Sequence, residues 1–511
     1  MNATLQDVKR ISDIPRYWAK ASPDAIALNE PDQKQTVSYG VLWAAVEAAV
    51  ELLRNSGVQS GDRVMLVSEN CAAQIALLFA ASELQAWPVI VNARLSEREI
   101  DVIRAHCVPR VMLFTCAISS DARAHAERYH ATLADIDPLG MVAITTANPA
   151  ALAEPMEMAN DVAAMIYTSG TTGTPKGVMM RHEGLLHFAK LSSASRNMVQ
   201  GDVAHAVLPI SHIFGLATVL LATMYAGASL YLQPRFTAEG TLQALAEGGL
   251  SILQGVPTMF TRLLTLINAT GGKVSAPKLR YVYAGGAPLD PTLKRDVEAC
   301  FGLPMHHGYG MTEYAGSLFI TNFDRPRSDC SSGEIVPGAE LRIVSEQGVD
   351  QLPGVPGELW VRGPGTMRGY YLAPEQTAQA LLPGGWLNTG DIGRTDPDGA
   401  LFIVGRTKDL IICSGFNVYP IEVESVINTF PGVRLSAVVG RPIENCNEEV
   451  VAFVETDDSG QFDQAALQAF LKTSLSPYKR PVAIVQIAVI PTTISGKLLK
   501  QSLKLLAVEA S

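Results

Sequence analysis

Short apolar runs alternate with helical segments along the first four hundred residues, and this alternation restricts the fold more than any other feature. RVMLVSEN at residues 63–70 and WPVIVNA at residues 87–93 are typical of short buried strands. The segment AAQIALLFAASELQ between them has a helical pattern, and a second helical segment, EREIDVIRAH, precedes the strand-like run RVMLF at residues 110–114. Strands and helices that alternate in this way predict α/β layers with much parallel sheet.

The pattern changes after about residue 330, where VPGAELRIV, PGELWVRGPG and ALFIVGR indicate a turn-rich β unit. After Arg406 the segments DLIIC, PIEVESVINTF, RLSAVVG, EVVAFVET and DQAALQAFLKTSL indicate a separate α+β unit of normal domain size. We therefore predict the α/β class: a large N-terminal multi-layer domain with a β-rich subdomain at residues 1–405, a hinge at residues 406–408, and a small mobile α+β C-terminal domain at residues 409–511.

The composition argues against several classes of protein. Hydrophobic residues make up 48% and charged residues 18% of the 511 residues, which is typical of a well-packed globular protein. The net charge is -10 without a long basic run, so no nucleic-acid partner is indicated. The seven cysteines form no Cys-x-x-Cys pair, and the N-terminus lacks an apolar signal segment. The cysteine pattern indicates neither disulfides nor a zinc site. Together with the missing signal segment, it predicts a cytoplasmic location.

One apolar stretch is long enough to be considered as a membrane span. Residues 212–232, HIFGLATVLLATMYAGASLYL, contain no Asp, Glu, Lys or Arg, and about 20 apolar residues can cross a bilayer. The small residues at 226–229 interrupt the stretch before SLYL. We therefore predict a buried helix followed by a core strand, and no membrane span.

The stretch YTSGTTGTPKGVMM at residues 167–180 combines glycines and hydroxyl residues with a lysine. Glycines let backbone amides approach an anion closely, hydroxyls add donors, and lysine adds a mobile positive charge. A P-loop NTPase would need Gly-x-x-x-x-Gly-Lys-Ser/Thr at the start of a helix, whereas Lys176 follows Pro175 and precedes a strand-like VMM. A simple surface turn rarely has such a long run ending in lysine. The stretch predicts a phosphate-binding loop.

Further motifs occur along the chain in the order of one known family. They are AGGAP at residues 284–288, HGYGMTE at 307–313, NTGD at 388–391, GRTKDLIICSGFNVYPIEVE at 405–424 and ISGK ending at Lys497. Together with YTSGTTGTPKGV, this ordered set resembles the adenylate-forming superfamily: acyl-CoA synthetases, 4-coumarate–CoA ligases, firefly-type luciferases and peptide-synthetase adenylation domains. The resemblance covers nearly the whole chain.

The resemblance implies a reaction in two steps. The carboxylate of an organic acid attacks the α-phosphorus of ATP and expels pyrophosphate, which gives an acyl-adenylate. The thiol of coenzyme A then attacks the acyl carbon and releases AMP. The resemblance thus implies an AMP-forming carboxylic acid–CoA ligase that uses ATP, Mg²⁺ and coenzyme A.

The same resemblance implies a nucleotide site built from all of these motifs. The glycine-rich loop would hold the β- and γ-phosphates, Tyr309 would stack on adenine, and Asp391 and Arg406 would bind the ribose hydroxyls. The implied nucleotide-binding residues are Thr168, Ser169, Gly170, Thr171, Thr172, Gly173, Lys176, Gly285, Gly286, Ala287, Pro288, His307, Gly308, Tyr309, Gly310, Met311, Thr312, Asp391, Arg406 and Lys497.

Catalytic and metal-binding roles are implied for a smaller set. Thr312 would bond the α-phosphate, and Glu313 would bind Mg²⁺, a hard cation that prefers carboxylate oxygen. Lys497 would place its ammonium group between the acyl carboxylate and the α-phosphate, where charge develops. Lys176 would accompany the departing pyrophosphate. His212 would position the acyl carboxylate rather than act as a base, since carboxylates are already ionised near pH 7.

The C-terminal domain is implied to swing between the two half-reactions. One orientation would present Lys497, and the other would present residues 413–418 and form a tunnel for the pantetheine arm of CoA. Lys408 matches the family's hinge position, and Gly415 would line the tunnel. Lys479 is a candidate for a CoA phosphate contact, although a solvated Lys479–Arg480 pair fits the sequence equally well.

The acyl pocket is implied to be lined by four segments, residues 210–216, 254–258, 284–287 and 308–316, whose residues are mostly small or apolar. The candidate acyl-binding residues are His212, Phe214, Gly215, Val256, Gly285, Gly308, Ala315 and Gly316. No aspartate stands near Ser211 and His212, which argues against an amino-acid adenylation domain. The pocket segments also contain no arginine, which argues against a malonate-type acid. An aromatic, phenylpropenoic or medium-chain acid is therefore favoured.

Other functions stay open at this stage. The chain could be an acyl-AMP ligase that loads a separate carrier protein, or a luciferase-like monooxygenase that reuses the acyl-adenylate. A non-catalytic nucleotide-binding regulator is disfavoured because Glu313, Asp391 and Lys497 are all present. No carrier domain follows Lys497, which favours CoA as the acceptor. We expect a monomer or homodimer whose partners are a small carboxylic acid, ATP and CoA.

Overall fold

The computed structural model describes residues 5, 8–168, 176–413, 416–443, 447–457, 462–492 and 498–509. Part of the glycine-rich loop, the implied tunnel glycine and the implied catalytic lysine therefore lie outside the described residues. These residues are Ser169, Gly170, Thr171, Thr172, Gly173, Gly415 and Lys497.

The described strands are listed here in chain order: β1 (Ile26–Glu30), β2 (Gln35–Ser38), β3 (Arg63–Ser68), β4 (Trp87–Asn92), β5 (Val111–Phe114), β6 (Thr132–Asp135), β7 (Met141–Ile144), β8 (Val162–Thr168), β9 (Lys176–Arg181), β10 (Val203–Ala206), β11 (Ser229–Leu232), β12 (Ile252–Gly255), β13 (Tyr281–Ala284), β14 (Met305–Met311), β15 (Gly316–Ile320), β16 (Glu334–Ile335), β17 (Glu340–Val344), β18 (Gly357–Arg362), β19 (Gly369–Tyr370), β20 (Leu381–Leu382), β21 (Trp386–Thr395), β22 (Leu401–Arg406), β23 (Ile411–Cys413), β24 (Phe416–Val418), β25 (Val433–Ile443), β26 (Asn447–Thr456) and β27 (Ala483–Gln486).

The described helices are α1 (Asp13–Ala21), α2 (Tyr39–Asn55), α3 (Ala72–Glu83), α4 (Glu97–Cys107), α5 (Ser120–Arg128), α6 (Met156–Asp161), α7 (His182–Ser195), α8 (Ala222–Tyr225), α9 (Ala238–Ala246), α10 (Pro257–Ala269), α11 (Pro291–Phe301), α12 (Pro374–Ala380), α13 (Pro420–Ile427), α14 (Gln464–Ser474) and α15 (Lys500–Glu509). A π-helical segment at Phe214–Leu221 precedes α8, and short 3₁₀ turns occur at Thr312–Tyr314 and Thr407–Asp409.

Two large sheets form the N-terminal domain. Their strand orders are β16-β15-β14-β13-β12-β10-β11-β1-β2 and β19-β9-β8-β4-β3-β5-β7-β6. In the middle of the first sheet, β12 pairs in parallel with β10 and β13. In the middle of the second sheet, β3 pairs in parallel with β4 and β5. The predicted α/β layers with parallel sheet are thus confirmed.

The sequence analysis did not anticipate the antiparallel pairs β8–β9 and β14–β15. Their connections explain the difference. Residues 169–175 separate the first pair, and residues 312–315 separate the second. Parallel strands need a crossover of a dozen or more residues, so connections of these lengths require antiparallel neighbours.

One buried cluster joins the two sheets. Val64 and Leu66 of β3 and Ile252 of β12 belong to the same cluster, together with most of α3. Met65, on the other face of β3, packs in a second cluster, as expected because side chains alternate across a strand. Helix α3, AAQIALLFAASE, is apolar around nearly its whole circumference, and ten of its twelve residues are buried.

The apolar stretch at residues 212–232 forms the π-helical segment, helix α8 and strand β11, with a break between the last two. All residues of Phe214–Leu221 are buried. The prediction of a buried helix followed by a core strand is therefore confirmed, although the first part has π rather than α geometry. Within the described ranges, no helix combines the length and the apolar character that crossing a membrane requires.

A third sheet, β17-β18-β21-β20 with β22 beside β21, forms the β-rich subdomain. Beyond it, β25-β26-β27 carries separate apolar clusters on its two faces. Val438 and Ala452 pack with α13 and α14, and Val439 and Val451 pack with α15. The large N-terminal domain and the smaller C-terminal domain are confirmed. The hinge at residues 406–408 stays a prediction; the 3₁₀ turn Thr407–Asp409 lies there.

Candidate active site

Three neighbouring strands carry glycines at their carboxyl ends. β12 ends at Gly255, β13 is followed by Gly285 and Gly286, and β14 contains Gly308 and Gly310. Ligands of α/β sheets bind outside the carboxyl ends of parallel strands. A cavity lies here, and its described lining residues are His212, Ile213, Phe214, Thr218, Tyr283, Gly285, Gly286, Gly308, Gly310, Gly316 and Ser317.

Two of these glycines keep the cavity open. A Cβ atom on Gly285 would lie 3.0 Å from the Tyr283 ring and 3.1 Å from the Phe214 ring. A Cβ atom on Gly308 would overlap the Tyr283 hydroxyl. A side chain at either position would therefore fill space that the cavity needs.

Five of the predicted acyl-binding residues are in the cavity lining: His212, Phe214, Gly285, Gly308 and Gly316. The His212 ring accepts a hydrogen bond through Nδ1 from the backbone N–H of Phe214 at 3.2 Å. This bond orients the imidazole at the cavity, and its role towards a substrate stays a prediction.

The other predicted acyl residues lie behind the lining. Val256 Cγ1 is 3.5 Å from the place that a Cβ atom would take on Gly286. Gly215 packs so closely against the backbone of Pro209 that a Cβ atom at residue 215 would overlap it, and the Ala315 methyl group lies next to Gly184 of α7.

Sequence reasoning missed three polar lining residues, Thr218, Tyr283 and Ser317. Thr218 is one helical turn after Phe214, and Tyr283 is two residues before Gly285 on a strand. Helical i,i+4 and strand i,i+2 spacings place such residues on the same face. The periodicity around the motifs could therefore have found them.

A hydrogen bond connects the HGYG motif to the AGGAP motif. His307 donates through Nδ1 to the Ala284 carbonyl at 3.0 Å, and its side chain is buried. Burial lowers the pKa of His307 to about 4, so the imidazole is neutral at pH 7. Ala287 and Pro288 continue from this junction towards α11, and Met311 ends β14.

The predicted ribose residues form a compact cluster. Asp391 of β21 is the register partner of Arg406 of β22, and Arg406 Nε lies 2.9 Å from Asp391 Oδ1. Tyr309 donates its hydroxyl to Asp391 Oδ2 at 2.6 Å. Burial, reinforced by Asp391, raises the pKa of Tyr309 well above its usual value, so the phenol stays a donor. NTGD is part of strand β21, at a bulge in its pairing with β18.

A second cluster links the glycine-rich loop to the YGMTE motif. Tyr370 donates its hydroxyl to Glu313 Oε1 at 3.0 Å, and Lys176 Nζ lies 4.7 Å from the centroid of the Tyr370 ring. Thr168 is the register partner of Lys176, and Thr312 is buried beside Glu313. Tyr370, on the short strand β19, was missed because nothing in its sequence context marks it.

Glu313 fits the requirements of a Mg²⁺ ligand. It is a partly exposed carboxylate in the 3₁₀ turn after β14. Mg²⁺ typically takes one or two carboxylates together with phosphate oxygens of the substrate. The donor set is therefore compatible with the metal, which would offset the charge of the phosphates.

The structure describes two of the residues predicted to act in the C-terminal part of the chain, Lys408 and Lys479. Lys479 forms an ion pair with Glu422 of α13, and Lys408 lies in the 3₁₀ turn between β22 and β23. The Lys504 ammonium contacts the Lys408 carbonyl oxygen at 3.4 Å. Roles for Lys408 and Lys479 stay predictions, and Gly415 and Lys497 lie outside the described residues.

Comparisons with known proteins agree with this architecture. The AMP-binding enzyme family matches residues 16–371, and the AMP-binding enzyme C-terminal domain matches residues 422–497. A feruloyl-CoA synthase of Amycolatopsis sp is 32% identical over 492 residues, which cover 95% of this chain and 96% of that protein. 4-coumarate–CoA ligase 2 of Oryza sativa subsp. japonica is 31% identical over 548 residues, covering 98% and 94%.

Among solved structures, ATP-bound MatB from Rhodopseudomonas palustris matches with a TM-score of 0.83 and 27% identity, covering 98% of this chain and 99% of that chain. The fold and the converging motifs define an adenylate-forming enzyme. The chain belongs to the AMP-binding enzyme family, as the ordered motifs predicted. The prediction of an AMP-forming CoA ligase is confirmed as a class, because similar family members are CoA ligases.

Replacing Asp391 with asparagine is expected to raise the KM for ATP by about 10–100-fold. The change removes the charge that Arg406 faces and replaces one acceptor oxygen by an amide donor, and hydrogen bonds to charged groups contribute about 1.5–3 kcal/mol. Steady-state kinetics with varied ATP measure the effect. Asp398→Asn, which changes an exposed carboxylate after the same strand, is the control. An unchanged KM in a folded Asp391→Asn variant would contradict the ribose assignment.

Proposed function

We propose that the protein activates an aromatic, phenylpropenoic or medium-chain carboxylic acid as the acyl-adenylate and transfers it to CoA. The observation that carries the proposal is the convergence of the motifs on one edge of the first sheet. The cavity, the Asp391–Tyr309–Arg406 cluster and the Lys176–Tyr370–Glu313 cluster all adjoin strand β14 or the turn after it. An acid and a nucleotide can therefore meet there.

The proposed roles follow from this arrangement. The acid occupies the cavity with its carboxylate towards Thr312, and Asp391 with Arg406 holds the ribose. Tyr309 lies against adenine, and Lys176 with the loop that precedes it contacts the β- and γ-phosphates. Bound at Glu313, Mg²⁺ would neutralise phosphate charge during the attack. Lys497 stabilises the charge that develops between the acyl carboxylate and the α-phosphate.

Each proposed step forms one bond and breaks one. In the first step a carboxylate oxygen forms a bond to the α-phosphorus as the bond between that phosphorus and the bridging oxygen of pyrophosphate breaks. In the second step the CoA thiol loses its proton and its sulfur forms a bond to the acyl carbon, while the bond between the acyl carbon and the AMP oxygen breaks and AMP leaves. We assign residues 1–405 to the domain that holds ATP and acid, residues 406–408 to a hinge, and residues 409–511 to the domain that moves between the steps.

The aromatic character of the cavity supports the choice of acid. Phe214 and Tyr283 are in edge-to-face contact with ring centroids 5.8 Å apart, and both line the cavity. Aromatic rings prefer such offset and edge-to-face arrangements, so a further ring can pack against them. The names of the similar ligases, feruloyl-CoA synthase and 4-coumarate–CoA ligase, are consistent with aromatic acids.

Isotope exchange tests the proposal. Purified protein is incubated with Mg²⁺, ATP, labelled pyrophosphate and a panel of aromatic, phenylpropenoic and medium-chain acids, with and without CoA. We expect label in ATP for at least one acid, and the corresponding CoA thioester when CoA is present. No exchange with any acid would overturn the proposal. Exchange without thioester formation would identify an acyl-AMP ligase that serves a carrier protein.

A further inference from the structure

The strands that lead into and out of the glycine-rich loop are joined at its base. Thr168 and Lys176, the described ends of the loop, are register partners in the antiparallel pair β8–β9. One residue further from the loop, Tyr167 is the partner of Gly177. The carbonyl of Gly177 also accepts a hydrogen bond from the backbone N–H of Tyr371 at 2.8 Å. The placement of both loop ends therefore depends on how Tyr167 and Tyr371 are held.

His106, the last residue but one of helix α4, contacts both of these tyrosines. Its Nδ1 atom shares a hydrogen bond of 2.6 Å with the Tyr167 hydroxyl. Its ring also packs edge-to-face on the rings of Tyr167 and Tyr371, with centroids 5.7 Å and 5.8 Å away. Burial lowers the pKa of His106 and raises that of Tyr167, so both groups are uncharged at pH 7. One side chain of α4 thus connects the helix to the residues on both sides of the loop.

The Tyr167 ring lies across the base of the loop. A Cβ atom on Gly177 would be only 3.2 Å from Tyr167 Cζ, so the ring covers the backbone of β9 at this point. Tyr167 also packs against the buried cluster that contains Trp87, Cys107 and Tyr371. The hydrogen bond from α4 therefore fixes a ring that contacts the strand on the far side of the loop as well as its own.

The polar atom of His106 is not explained by packing alone. The residue is partly exposed at the end of α4, whereas Ile103 and Cys107 of the same helix are buried. A phenylalanine could make the same edge-to-face contacts, and it would bring no polar atom that needs a hydrogen bond. The distinct contribution of histidine at this position is its bond to the Tyr167 hydroxyl. None of the functional motifs in the sequence includes His106.

We propose that His106 is a positioning residue for the glycine-rich loop. Its hydrogen bond to Tyr167 holds the loop ends, Thr168 and Lys176, in place for the β- and γ-phosphates of ATP. A loop whose ends are already placed loses less freedom on binding, and such preorganisation increases affinity. His106 acts through Tyr167 and not on the nucleotide itself. The inference rests on the proposed function in one respect, that the loop binds these phosphates, and it is independent of the acid.

Binding of ATP and of AMP, each with Mg²⁺ and without acid, tests the inference by isothermal titration calorimetry. AMP lacks the β- and γ-phosphates, so its affinity does not depend on the loop. His106→Phe keeps an aromatic ring and removes the hydrogen bond. We expect it to weaken ATP binding by about 3–10-fold, as for the loss of one hydrogen bond, and to change AMP binding by less than about 2-fold. His106→Asn, whose amide can donate or accept, should recover most of the ATP affinity.

A double variant and a control complete the experiment. Tyr167→Phe removes the same hydrogen bond from the other side, so the variant with both His106→Phe and Tyr167→Phe should bind ATP about as tightly as either single variant. Arg98→Ala, a change at an exposed residue of α4, should leave both affinities unchanged.

Three results would overturn the inference: unchanged ATP affinity in a folded His106→Phe variant, equal losses for ATP and AMP, or additive losses in the double variant. A wild-type protein that binds ATP but catalyses no pyrophosphate exchange with any acid would instead contradict the proposed function. Failure of the wild-type protein to bind ATP would overturn both.

Discussion

Replacing Lys497 with alanine is expected to slow formation of the acyl-adenylate by about 10²–10³-fold, the typical effect of losing one group that stabilises developing charge. The same variant should convert supplied acyl-adenylate and CoA to thioester at close to the wild-type rate. The reason is that the two half-reactions use different faces of the C-terminal domain in the proposed mechanism. Pyrophosphate exchange measures the first step, and single-turnover thioester formation measures the second.

Lys472→Ala is the matched control for this experiment. Lys472 is an exposed lysine on α14 in the same domain, and its loss should affect neither step. Equal losses of both half-reactions in Lys497→Ala would contradict a mechanism with two domain orientations. An unchanged rate of exchange would remove Lys497 from the adenylation step altogether.

Acidification from pH 7 to pH 5 is expected to destabilise the protein steeply. Burial lowers the pKa of His182 to about 3 and those of His205, His306 and His307 to about 4. In the unfolded chain these histidines titrate near pH 6.5. Between about pH 6.5 and pH 4 the unfolded state therefore binds protons that the folded state does not. Stability is highest above this window and falls as the pH decreases through it.

The expected slope is large. Each differential proton contributes about 1.4 kcal/mol per pH unit, so four such histidines correspond to roughly 5 kcal/mol per unit in the middle of the window. Burial raises the pKa of Glu30 to about 7, so the folded state binds a proton there and offsets about one of the four, which leaves a net slope of roughly 4 kcal/mol per unit. Domains typically have about 5–15 kcal/mol of stability, so acid unfolding should begin well above pH 4. Denaturant unfolding at a series of pH values measures the slope.

Single substitutions measure how much each histidine contributes to the pH dependence of the free energy of unfolding. His205→Gln should reduce it by about one third, because one of about three net differential protons is removed. His130→Gln changes an exposed histidine and should leave the slope unchanged. A free energy of unfolding that is constant between pH 7 and pH 5 would contradict the neutral buried state of these histidines.

Much of the fold could be predicted because the relevant signals are local. The runs that form β3, β4 and β5 are apolar and bounded by helices, and these patterns depend only on nearby residues. The division of the N-terminal strands between two large sheets could not be predicted. Sheet order depends on contacts between distant segments, such as the pairing of β1 with β11, and periodicity carries no information about such contacts.

The candidate site shows the same limit at the level of single residues. Asp391, Arg406 and Glu313 stand in motifs, so their sequence context identified them. Tyr370 stands in no motif, and it reaches the site only because β19 pairs with β9. Its contribution depends on register, which is set by the three-dimensional pairing rather than by neighbouring residues.

Strand β22 remains hydrogen-bonded to β21 up to Arg406, and β23 begins at Ile411. The proposed rotation between the two domains would therefore involve residues 407–410, which include Thr407 and Lys408 of the predicted hinge. In the proposed mechanism, so short a connection would restrict the C-terminal domain to a few orientations relative to the N-terminal domain. Each return of the domain would then present the same face to the nucleotide.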